Sequence, residues 1–87
     1  MAENKRVKTI IKGSVQGIGY RWFVQDAARE MQIKGWVKNL YDGSVEIEAE
    51  GEKKKLEKFL KSLSKNPYAK ISSIQSDWEE IVKEKYS

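Results

Sequence analysis

From Ser44 to Glu50 polar and apolar residues alternate without a break, with Val45, Ile47 and Ala49 on one side and Ser44, Glu46, Glu48 and Glu50 on the other. Period-two alternation puts successive side chains on opposite faces of a strand. A strand written this way has one apolar face to bury and one acidic face for solvent. It belongs to a sheet covered on a single side, and its cover must be equally one-sided. Two helical stripes meet that need. Phe23, Ala27 and Met31, with Val24 and Ala28 beside them, repeat at helical spacing in a segment from about Arg21 to Gln32. Leu56, Phe59, Leu60 and Leu63 do the same between about Lys53 and Ser64. Lys34-Gly35 and Asn66-Pro67 stop the two helices.

The remaining segments supply the other strands. Val7, Thr9 and Ile11 alternate with Lys8 and Lys12 in a first strand that ends at Gly13, after residues 1–5, which are polar and expected to fray. Trp36 to Asn39 forms a short strand. Leu40-Tyr41-Asp42-Gly43 then turns it into the alternating one, as a hairpin. A last strand lies between Ser72 and Glu79, with Ile74, Ser76 and Trp78 on one face, and residues 80–87 form an unassigned charged tail. The order βαββαβ, with two one-sided helices, predicts an α+β fold. It is the ferredoxin-like sandwich, a four-stranded antiparallel sheet with both helices on one face. No linker or repeat divides the 87 residues, so residues 1–87 read as a single domain.

Composition narrows the chemistry. The chain has no Cys and no His, which removes disulfides, thiolate and imidazole metal sites, cysteine nucleophiles and Ser-His-Asp triads. No metal ligand set and no cofactor are expected. Seventeen basic residues against 13 acidic give a net charge of +4. The lysines are spread along the chain, with one short run at Lys53-Lys54-Lys55, and read as a solvated helix face rather than a specific nucleic-acid footprint. No window approaches the roughly 18 apolar residues of a membrane span, and the polar start has no signal-peptide core. A cytoplasmic protein is the expectation.

Two places could carry chemistry. Between the first strand and first helix lies Gly13-Ser14-Val15-Gln16-Gly17-Ile18-Gly19, followed by Tyr20 and Arg21. Glycines before a helix N-terminus let an anion approach backbone N–H groups and the positive end of the helix dipole. The planar fork of Arg21 can bind two oxygens of one phosphate or carboxylate. The plainer reading is a tight turn and a surface arginine, and the loop alone leaves both open. The spacing matches neither a Walker loop nor GxGxxG. Asn39, at the end of the short strand, offers a donor and an acceptor and could hold a water. By itself it is a common turn residue.

The stretch from Ile11 to Arg21 resembles the first signature of the acylphosphatase family, and Gly35-Trp36-Val37-Lys38-Asn39, continuing through Gly43, Val45 and Gly51, resembles its second. The similarity runs from about Arg6 to Trp78. Ile18 and Tyr20 stand where the family usually has Val and Phe, and many relatives finish with a short extra strand. The resemblance implies hydrolysis of the carboxyl–phosphate anhydride of small acyl phosphates. It assigns phosphate binding to Arg21 and the backbone of Gln16, Gly17, Ile18, Gly19 and Tyr20, and water orientation to Asn39. Inorganic phosphate is then expected as product and inhibitor, and the chain is expected to be a monomer that needs neither cofactor nor membrane.

Two alternatives share the fold. One is a non-catalytic phosphate-ligand module that kept the cradle. The other is an RNA-binding module, suggested by the basic charge, Trp22 and Trp36. The latter needs alternating aromatics on a strand for base stacking. Lys34-Gly35-Trp36-Val37 begins such a motif and Lys38-Asn39 breaks it, so Trp36 is expected in the core.

Overall fold

The computed structural model describes residues 3–17 and 19–81. Its elements are β1 (Asn4–Ser14), α1 (Tyr20–Glu30), β2 (Lys34–Asn39), β3 (Val45–Glu52), α2 (Lys53–Ser62), a 3₁₀ turn (Leu63–Lys65) and β4 (Lys70–Glu80). The sheet order is β2-β3-β1-β4 and every pair is antiparallel. The expected ferredoxin-like sandwich is the one observed. Residues 82–87 of the unassigned tail, and Ile18 of the expected cradle, lie outside the described residues.

Register identifies the covered face. Val7, Thr9 and Ile11 pair with Ala49, Ile47 and Val45 on one side. On the other side they pair with Trp78, Ser76 and Ile74. The central-strand members of these rows are buried, and they meet Tyr20 and Val24 of α1 and Leu56 and Phe59 of α2. Thr9 is buried among them because its hydroxyl shares a 2.9 Å hydrogen bond with that of Ser76. Ile74 and Trp78 share one face, as expected, and it is the covered one. They stay 39% and 41% exposed because β4 is an edge strand.

Four expectations are corrected. β1 starts at Asn4 rather than Val7, since Asn4 and Lys5 pair with Glu52 and Gly51 instead of fraying. The second helix ends at Ser62 and tightens into the 3₁₀ turn, which buries Leu63. The face of β3 expected to be solvated is largely covered: Glu48 and Glu50 are each only 4% exposed. β3 lies between β2 and β1, so long side chains from both sides fold over its carboxylates. The Arg6 guanidinium bonds Glu50, with Nε 2.7 Å from Oε1, and reaches Glu79 at 3.4 Å. Trp36, expected in the core, shares this open face through its pairing with Glu48 and lies under the Lys38 ammonium, 5.1 Å from the ring centroid.

Candidate active site

β1 and β2 both run antiparallel to β3, so they point the same way and their C-terminal ends share one end of the sheet. Val45 is opposite Ile11 on one side and Asn39 on the other. Asn39 and the end of β1 are therefore about two strand spacings apart, roughly 10 Å. The side chain of Asn39, in the row of Ile11 and Val45, lies on the helix-covered face. The loop leaving β1 rises toward that same layer to start α1.

Val15 anchors the loop, its side chain 1% exposed in the core. Gly17 and Gly19 both have φ of 76°, the left-handed conformation that glycine adopts without strain. A Cβ built on either glycine meets nothing within 4 Å, so the dihedral rather than crowding calls for glycine. Gly19 is the N-cap of α1 and has no side chain to cap it, and the first turn holds no acidic residue. That helix end keeps its positive character.

Around this corner lies a cleft of about 220 Å³ lined by Val15, Gln16, Gly17, Gly19, Tyr20, Arg21, Trp22 and Asn39. Arg21, in the first turn of α1, and Asn39, the last residue of β2, come from separate elements and meet here. Tyr20 divides its roles. It borders the cleft, yet the residue is 1% exposed and its hydroxyl donates to Leu63 O at 2.9 Å. Burial pushes the Tyr20 phenol up to about 12.

No carboxylate of the described residues lines the cleft. Asp26 reaches Arg29 at 3.4 Å on the surface of α1. Asp42 accepts the Ser44 N–H at 2.9 Å and the Ser44 hydroxyl, and these bonds hold its carboxyl below the usual range. Among the described residues no group of three or more His, Cys, Asp or Glu is placed to hold a metal ion.

Sequence reasoning missed two contributors. Trp22, 69% exposed, forms part of the cleft wall, and its place directly after Arg21 was the available signal. The Gln16 side chain crosses to the β2–β3 turn, donating to Leu40 O at 2.9 Å and Ser44 O at 2.8 Å. Nothing local in the sequence announces that contact. A larger groove of about 320 Å³ runs between α1 and β2, walled by residues such as Val24, Ala28, Val37 and Phe59. Neither the glycine loop nor Arg21 or Asn39 reaches it, so its size does not make it the reactive centre.

The family profile of the acylphosphatases matches residues 7–87. An acylphosphatase of Methanospirillum hungatei is 55% identical over 60 residues, covering 69% of this chain and 66% of its own length. One from Thermus thermophilus is 43% identical over 76 residues, 86% of each chain. The crystal structure of the Bacillus subtilis acylphosphatase superposes with a TM-score of 0.88 at 36% identity, over 94% of this chain and 91% of that one. Full-length HypF in its phosphate- and nucleotide-bound form matches with a TM-score of 0.86 at 33% identity, over 99% of this chain but 12% of HypF.

Proposed function

The chain belongs to the acylphosphatase family, enzymes that hydrolyse acyl phosphates to carboxylate and phosphate, and we propose that Arg21 and the 16–21 backbone hold the phosphoryl group while Asn39 orients the attacking water. The observation that carries these roles is the meeting of Arg21, Asn39 and the glycine loop at one cleft.

The chemistry needs little more. A carboxylate leaving group has a conjugate-acid pKa near ~4, so it departs without a general acid. What remains is to bring water in line and to neutralise charge on the transferring phosphoryl oxygens. The guanidinium fork and the N–H groups of the loop face two or three of those oxygens at once. Asn39 accepts a hydrogen from the water with its carbonyl and turns a lone pair toward phosphorus. The water's proton passes to a phosphate oxygen. A cleft of about 220 Å³ suits a small acyl phosphate, being below the roughly 300 Å³ at which drug-sized pockets begin.

Residues 1–87 work as one domain and as a monomer, because every group in this scheme comes from one chain. Inorganic phosphate, which fits the same cradle, is a competitive inhibitor. Among the described residues the open face of the sheet carries alternating acids and bases with a single aromatic, Trp36, which lies under Lys38, so nucleic acid binds only weakly and with steep salt dependence. A cysteine-free chain is suited to the cytoplasm. The deciding assay is acetyl phosphate hydrolysis without added metal, by wild type and Arg21→Gln. Turnover in the first and its loss in the second are expected; equal turnover would remove Arg21 from the reaction.

A further inference from the structure

The Gln16 amide gives both its hydrogens to the β2–β3 hairpin, one to Leu40 O at 2.9 Å and one to Ser44 O at 2.8 Å. Those two carbonyls bracket the turn. Leu40 directly follows Asn39, and Ser44 directly precedes Val45, the cross-strand partner of Asn39. The turn already has closures of its own. Leu40 N donates to Ser44 O at 2.9 Å, Gly43 N to Leu40 O at 3.2 Å, and Asp42 accepts from the N–H and hydroxyl of Ser44. Those bonds fix the shape of the hairpin. The Gln16 bonds fix where the hairpin sits relative to the loop that starts α1.

We propose that the Gln16 side chain is a positioning residue that locks the hairpin bearing Asn39 to the phosphate loop, and so sets the line from water to phosphorus. This rests on the roles proposed above for Asn39 and the loop. The residue type fits the task. Only a neutral amide of this length offers two coplanar hydrogens to two carbonyl oxygens: a carboxylate would oppose them, a thioether has no donor, and an asparagine is one methylene short. In-line attack is sensitive to small displacements, and a shift of about 1 Å can cost roughly a hundredfold in rate.

The test is a double-mutant cycle of Gln16→Met with Asn39→Ala on the full chain, following acetyl phosphate turnover and inhibition by inorganic phosphate. Gln16→Met should lower kcat about ten- to a hundredfold, the scale of a small misplacement. Phosphate inhibition should change much less, because the cradle backbone and Arg21 remain. In the Asn39→Ala background the further loss should nearly vanish, since the two residues act as one unit. An unchanged kcat, a full loss that persists without Asn39, or phosphate inhibition weakening in step with kcat would each overturn the proposal. If Gln16→Met does not unfold cooperatively, Gln16→Asn replaces it in the cycle.

Nuclear magnetic relaxation judges the lock without reference to catalysis. Backbone order in residues 40–44 should drop in the Gln16 variant while the rest of the sheet stays rigid. Unchanged order would overturn the lock even in an active enzyme. Lowered order in a chain whose Asn39→Ala variant keeps full turnover would uphold the lock and overturn only the role of Asn39.

Discussion

Arg21 matters through the shape of its head group as much as through its charge. Lysine at that position keeps the charge and loses the fork. Arg21→Lys should therefore cut acetyl phosphate turnover by roughly a hundredfold or more, the scale of losing one preorganised transition-state donor. Inhibition by inorganic phosphate should weaken with it. Phosphate inhibition as strong as in the wild type would take Arg21 out of phosphate binding. Asn39 is expected to behave in the opposite way. With its amide removed the water loses its guide, so Asn39→Ala should lose roughly 10²–10³ in kcat, with KM and phosphate inhibition nearly unchanged. A weaker KM with intact kcat would exchange the two assignments. Tyr20 shows why a single residue in the loop serves both fold and site. Its side chain is committed to the core and to Leu63 O, so the backbone beside Arg21 is held from below.

At the scale of elements, the sequence reveals what is local and hides what depends on neighbours. The alternation in β3 and the stripes of both helices are local, and they are enough to give the order of the sandwich. The glycine loop with Arg21 is equally local. The lengths of β1 and β4 are not: Asn4 and Lys5 join the sheet because Glu52 and Gly51 lie opposite them, and the Lys53 N–H reaches Glu3 O at 2.7 Å. The meeting of Asn39 with the loop follows from the strand order of the sandwich, which the βαββαβ pattern as a whole implied and the pattern of one strand could not. Burial of Glu48 and Glu50 also hinges on β3 being central. Across the open face one row runs Lys34, Glu50, Arg6, Glu79, alternating in sign over four strands. Glu50, with its side chain 5% exposed, needs the Arg6 guanidinium more than a surface carboxylate would. Arg6→Met should lower the thermal midpoint, and adding Glu50→Leu should restore much of the loss because the buried charge goes with its partner. Losses that simply add in the double variant would show that the two side chains are not coupled.

For the molecule as a whole, pH separates stability from turnover. The Tyr20 phenol is held neutral by burial up to about 12, against an ordinary value of 10.0. A folded-state value above the unfolded one gives stability that is complete below pH 10 and disappears between there and about 12, as the unfolded chain ionises first. Unfolding in denaturant should show that alkaline slope, and Tyr20→Phe should flatten it; an equal slope in both would assign it elsewhere. Turnover should follow another rule. The chain has no His, and no carboxylate of the described residues lines the cleft. The bonds from Ser44 move Asp42 further from neutrality, and Asp26 lies out on α1 beside Arg29. Among the described residues, therefore, neither a histidine nor a cleft carboxylate is placed to act on the water. The kcat profile should be nearly flat from about pH 5.5 to 8, apart from any slope the substrate's own phosphate adds near pH ~6. A slope of that origin shifts when the acyl group is changed and survives Asp26→Asn and Asp42→Asn. A bell-shaped profile that stays put across substrates and disappears in one of those variants would mean that a side-chain acid or base takes part, and that Asn39 does not handle the water alone.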